Sequence, residues 1–127
     1  MLTSAARGIR GATVVLSNTA EDIEKATVEL VGEILKKNNI KISDIAFAIF
    51  TLTKDLNAAF PAKFARLCCG FDTVPMMCYQ ELDVPNSIQK CLRVLIVVNT
   101  DLGQNEINHV YLKEAKALRV DLEKDTH

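Results

Sequence analysis

Arg93 stands inside one of the most apolar stretches of the chain, Cys91-Leu92-Arg93-Val94-Leu95-Ile96-Val97-Val98. On an extended strand it shares a face with Cys91, Leu95 and Val97. A guanidinium buried there without a partner would cost several kcal/mol, so it must meet a carboxylate, water or a ligand. Glu81, in a largely uncharged segment of its own, is the obvious carboxylate. Three readings follow from the pattern: a structural Arg93–Glu81 ion pair, a site for an anionic ligand, or an arginine at a strand edge snorkelling into water. Arg10, between Ile9 and Gly11 and close to Arg7, is a second arginine in an extended segment, where a solvated strand residue is the plain alternative. Tyr111 suits a core or rim position, and Lys63, Arg66 and Arg119 suit solvated surfaces.

Arginines and carboxylates hold and stabilise anions, but they do not by themselves make a nucleophile. Neither His109 nor His127 has a recognisable Ser or Cys motif around it, and no hydride, phosphoryl or acyl-transfer apparatus is visible. The residues therefore fit either a binding module or an enzyme that works by electrostatics and positioning. The pattern alone does not choose between them.

The elements that must position these residues are legible from periodicity. Arg7 to Leu16 has no helical period and ends in Thr13, Val14 and Val15, which predicts a strand. Asn18, with Glu21 three residues on, predicts a capping box opening a helix over about 19 to 37. Ile23, Ala26, Leu30, Val31 and Ile34 make its apolar stripe. Ile45 to Leu52 and Leu92 to Val98 read as buried strands, and Met76 to Leu82 as another. Pro61 and Gly70 bracket a short helix of about 61 to 69. Ile107 to Leu112 reads as a last strand followed by a helical turn, and the polar tail from about 121 to 127 is expected to fray. The fold class is α+β, with α/β-like features: one mixed sheet, one long helix and one short one. A single long helix cannot cover two apolar strands on both faces, so the sheet should pack on another subunit, and a homo-oligomer is expected.

The length of 127 residues suits a single domain, and 15 Lys plus Arg against 16 Asp plus Glu gives no global field for nucleic acid or anionic lipid. No stretch looks like a signal peptide or a membrane span, so a cytoplasmic protein is expected. Cys68, Cys69, Cys78 and Cys91 include no CxxC pair, which disfavours zinc. Cys68, Cys69 and Cys91 are read as small buried hydrophobes.

Six blocks carry a family resemblance. RGIRGAT at residues 7 to 13 looks like the opening of AroH-type chorismate mutases. DLNAAFPAK at 55 to 63, followed by Arg66, resembles that family's DLxxxFPAK element, and PMMCYQELDV at 75 to 84 resembles its VPVxCxQEMDV segment. CLRV at 91 to 94, HVYL at 109 to 112 and Leu118-Arg119 match further elements in the same order, so the likeness spans about residues 6 to 122. Met77 stands where the family often has Thr, Lys54 and Val120 where prolines are common, and Pro85-Asn86-Ser87 replaces a glycine-rich turn.

The resemblance implies a homotrimer whose sheets form a pseudo-α/β barrel with active sites between subunits. It also implies an isomerase that rearranges chorismate to prephenate on the route to phenylalanine and tyrosine, with no metal or cofactor. By resemblance Arg93 faces the ether oxygen of the substrate. Glu81 holds its ring hydroxyl, with Cys78 nearby. Arg10 and Tyr111 hold the enolpyruvyl carboxylate, Arg66 and Arg119 attract or close over the other carboxylate, and Phe60, Lys63 and Met77 line the cleft. Cys78 and Glu81, three apart, would point to opposite faces of a regular strand. If both reach one substrate, that segment must twist, bulge or end near Cys78.

Overall fold

In a computed structural model, which describes residues 4–118, five strands and two α-helices form one sheet with helices on one side. The strands are β1 (Ala5–Val14), β2 (Ile45–Leu52), β3 (Met76–Gln80), β4 (Cys91–Thr100) and β5 (Val110–Tyr111). The helices are α1 (Ala20–Asn38) and α2 (Pro61–Cys68). The sheet order is β3-β2-β4-β1-β5. β4 is antiparallel to both β1 and β2, whereas β3 and β5 lie parallel to β2 and β1 at the two edges. The expected α+β class with one mixed sheet, one long and one short helix is what forms. The tail from about 121, together with Arg119, lies outside the described residues.

Alternation along the strands decides which face is covered. In β4, Leu92, Val94, Ile96 and Val98 are buried, and they meet Ile23, Leu30, Val31 and Ile34 of α1 and Phe64 of α2 in a continuous core. Their neighbours Arg93, Leu95 and Val97 point to the other face and are only half-buried. Phe47 and Ile49 of β2 stand opposite Val97 and Leu95 on that same uncovered face. Among the described residues, a largely apolar sheet face is thus left without a covering layer, as the count of helices predicts.

Gly11 shows how closely helix and sheet meet. A Cβ built there would fall 2.6 Å from the Cδ1 of Ile34 and 3.1 Å from that of Leu30. Both methyls belong to fully buried side chains, so making way for a Cβ means repacking the core. Gly11→Ala is expected to destabilise the fold by about 1–3 kcal/mol through overpacking, read as a lower denaturation midpoint.

Several boundaries differ from the sequence reading for identifiable reasons. Thr19, not Asn18, caps α1, its Oγ1 accepting from the Asp22 N–H. Asn18 is engaged elsewhere: its amide pairs reciprocally with Asn57 and also accepts from the Ala58 N–H, which ties the 53–60 loop to the helix start. β5 is only two residues long. Upstream of it, side chains make the contacts that a strand would: Asn38 holds both backbone groups of Asn108, and Gln104 pairs with the N–H and C=O of Gly8. Cys68 is exposed rather than buried, because the buried face of α2 is built from Pro61, Phe64 and Ala65.

Candidate active site

Glu81 follows directly on β3. Its N–H donates to the carbonyl of Leu52, so the β2–β3 ladder carries one residue beyond Gln80 and directs the carboxylate to the uncovered face. Thr51 of β2 and Arg93 of β4 are cross-strand partners on that face. The three side chains converge. Thr51 Oγ1 donates to Glu81 Oε2 at 2.6 Å, and Arg93 Nε lies 3.2 Å from the same oxygen. The Arg93 N–H is not aligned with that oxygen, and Nε is a buried donor without a formed hydrogen bond. The pair is therefore held by charge, and the guanidinium has not been locked into a fork on the carboxylate. The Arg93 side chain is 39% exposed, so the group also has an open side.

That open side faces a cavity of about 420 Å³ whose lining includes Arg10, Thr51, Glu81, Arg93, Tyr111 and Leu118. The volume is in the range of small-molecule sites, and the wall combines apolar surface with a few convergent polar groups. Arg10 reaches it from β1, one strand over from Arg93, and Tyr111 from β5 beside Ala12. Tyr111 is itself buried with Ala12, Cys91 and Ala115, packed under the turn at Lys113–Ala115. Cys91 is fully buried next to Arg93; burial pushes its thiol pKa up by more than the guanidinium lowers it, so it stays a neutral thiol.

The other expected site residues fall elsewhere. Cys78 points to the helix side of the sheet, against the core, where burial raises its thiol pKa. It lines a separate cleft of about 640 Å³ together with Phe60 and Lys63. Phe60 is 70% exposed at the start of α2, the Lys63 ammonium lies 5.9 Å from the Phe64 ring centroid, and Arg66 is exposed one turn further on. Met77 is exposed on the uncovered face, its sulfur accepting from the Tyr79 hydroxyl. β3 runs regularly through Cys78, so the spacing of Cys78 and Glu81 does put them on opposite faces. Within one chain the residues form two groups: Arg10, Glu81, Arg93 and Tyr111 in one cavity, and Phe60, Lys63 and Cys78 in another.

Four supporting residues were not singled out from the sequence. Thr51 is the only hydroxyl in the apolar run IAFAIFTL, a much weaker signal than Arg93 in β4 because a hydroxyl is cheaper to bury than a charge. Asp55 accepts from the Lys90 N–H, and the hydroxyl of Thr53 accepts from the Cys91 N–H, so the loop after β2 fixes the start of β4 two residues before Arg93.

His109 is the fourth. Its Nδ1 accepts from the Arg10 N–H at 2.9 Å, holding the free edge of β1 where Arg10 leaves it. Burial, then the nearby charge of Arg10, lowers its pKa below the ordinary value. The sign follows: as pH falls through the unfolded value of 6.5, the unfolded chain takes up a proton that folded His109 refuses, and stability is lost. The wild type should therefore lose more stability than His109→Asn between about pH 7.5 and about pH 5.5. Equal losses in denaturant titrations at the two pH values would refute this.

Comparison with known proteins agrees with this architecture. The family model for chorismate mutase type I matches residues 6–122. The chain is 44% identical over 116 residues to chorismate mutase AroH of Bacillus subtilis (strain 168), covering 91% of each. It is 47% identical over 118 residues to chorismate mutase AroH of Thermus thermophilus, covering 92% of this chain and 96% of that one. Among solved structures, a chorismate mutase from Clostridium thermocellum superposes with a TM-score of 0.84 at 49% identity, covering 87% of this chain and 97% of the other. With a match along nearly its whole length, and with Arg10, Glu81 and Arg93 brought to one cavity, the chain belongs to the type I chorismate mutases.

Proposed function

We infer that the protein is a chorismate mutase, an isomerase that converts chorismate to prephenate in aromatic amino-acid biosynthesis. The observation that carries the reading is the Arg93 guanidinium, paired in charge with Glu81 yet open to a cavity that Arg10 and Tyr111 also line. The reaction is an intramolecular rearrangement: the ether C–O bond breaks as a C–C bond forms, with no group transferred to the protein. Its barrier has two parts that such a site lowers. The reactive pseudo-diaxial conformer is a minor one in water, and clamping both carboxylates selects it. Bond breaking runs ahead of bond making, so negative charge grows on the ether oxygen, and a fixed cation aimed there binds the transition state more tightly than the ground state.

In this reading Arg93 meets the ether oxygen, and Glu81 accepts the ring hydroxyl and stabilises the electron-poor ring. Arg10 and Tyr111 take the enolpyruvyl carboxylate. Phe60, Lys63, Arg66, Met77, Cys78 and Arg119 complete the cleft. Since Phe60, Lys63 and Cys78 open on the other side of the sheet, the cleft is completed by a second copy, in a cytoplasmic homotrimer whose copies cover one another's apolar sheet face. Phe47, Ile49, Leu95 and Val97 support that assembly, being apolar and incompletely covered.

The direct test is loss of chorismate absorbance on adding purified protein, with prephenate identified as the product. Absence of turnover at micromolar protein would overturn the reading. Sedimentation should give a trimer at assay concentrations, and a fully active monomer would refute the shared cleft.

A further inference from the structure

We propose that Thr51 is a positioning residue for Glu81, its hydroxyl turning the carboxylate so that one oxygen serves Arg93 and the other is left for substrate. The inference rests on the chorismate mutase reading of the cavity and deepens it.

The geometry divides the two carboxylate oxygens unequally. Thr51 Oγ1 donates to Oε2, and the Arg93 guanidinium approaches that same oxygen. Among the described residues, no donor is bonded to Oε1. A carboxylate has room for about four hydrogen bonds, so crowding two partners on one oxygen leaves the other with its full accepting capacity. Oε1 is therefore the atom that can receive a hydroxyl proton from a ligand in the cavity.

Arg93 alone would not enforce this arrangement. Its Nε contact is poorly aligned, and a carboxylate facing an unaligned cation can rotate about its last bond at little cost. The 2.6 Å bond from Thr51 is the directional one. Thr51 is well placed to give it, because it stands directly across from Arg93 in the β2–β4 register, on a strand whose other face is buried in the core. A β-branched side chain is restricted at χ1, so the hydroxyl has few settings to give up when it bonds Glu81.

Thr51 also lines the cavity, so direct contact with substrate is the competing role, and the test must separate the two. Thr51→Val keeps the shape and removes the donor, Thr51→Ala is a second donor-free variant should the first fold poorly, and Thr51→Ser keeps the donor. With melting curves as the check on folding, Thr51→Val and Thr51→Ala are expected to lower kcat by about 10- to 100-fold, the scale for a misplaced catalytic group. KM should stay within about twofold of the wild type, and Thr51→Ser should recover most of the lost kcat. In a Glu81→Gln background, Thr51→Val should add little further loss, because the group it positions is already gone.

Turnover close to the wild type in both donor-free variants would overturn the inference. A rise confined to KM would also overturn it, making Thr51 a substrate contact. So would losses that multiply in the Glu81→Gln background. Each of those results requires an active wild type and leaves the chorismate mutase reading intact; a wild type without turnover sinks both.

Discussion

Arg93→Ala should lower kcat by about 10²–10³-fold or more while leaving KM much less affected, the scale seen when one donor to a developing oxyanion is removed. The expectation follows from where charge changes during the reaction. In the ground state the ether oxygen is a weak acceptor and contributes little to binding, so losing the guanidinium costs little affinity. In the transition state that oxygen carries much of the negative charge, in a cavity with an apolar wall where screening is poor. The whole loss therefore appears in the chemical step. Arg93→Lys separates charge from shape: an ammonium keeps the sign but is a point charge without the planar fork, and cannot span Glu81 and the ether oxygen as the guanidinium can. It should recover part of the rate and not all of it. Folding should survive both changes, since Glu81 keeps its bond from Thr51 and remains partly open to water. A KM effect equal to the loss in kcat/KM, with kcat unchanged, would instead make Arg93 a ground-state clamp for a carboxylate.

The sequence disclosed the site unevenly, and the reason is physical. Arg93 was conspicuous because a guanidinium in an apolar strand must be explained, and its carboxylate neighbour proved to be Glu81. Arg10 and Tyr111 carried no such signal; an arginine between Ile9 and Gly11 and a tyrosine near an edge look ordinary until the register of β1 with β4 and β5 brings both to the same cavity. Thr51 gives only a faint signal because one hydroxyl in a strand costs little, although its position opposite Arg93 fixes what it can touch. The periodic elements, α1 and the buried strands, were readable because their apolar spacing is dictated by one covered face. Their ends were not, since caps and strand termini depend on side chains reaching from distant segments, as Asn18 reaches Asn57 and Asn38 reaches Asn108. The uncovered sheet face was foreseeable from the shortage of helices alone.

The division of the site makes the most demanding prediction. A substrate with two carboxylates cannot be gripped at one end by Arg10 and at the other by Lys63 of the same chain, because the cavity of Arg10, Glu81 and Arg93 and the cleft of Phe60, Lys63 and Cys78 share no lining residue and open on different sides of the sheet. If each active site joins the first group of one subunit to the second group of its neighbour, two inactive variants should rescue one another. Arg93→Ala damages the first group; Lys63→Ala combined with Arg66→Ala damages the second. Each homotrimer should be strongly impaired. In a cyclic trimer holding both kinds of subunit, whatever the ratio, one interface joins an undamaged first group to an undamaged second one. Mixed trimers isolated through two different tags should therefore show about a third of wild-type turnover per trimer, because cyclic symmetry leaves one of the three interfaces intact. No assembly of inactive subunits can regain activity if each site is built within a single chain. Mixed trimers no more active than the average of their parents would therefore require all of these residues to act within one subunit, and the chain would have to rearrange to bring its two cavities together.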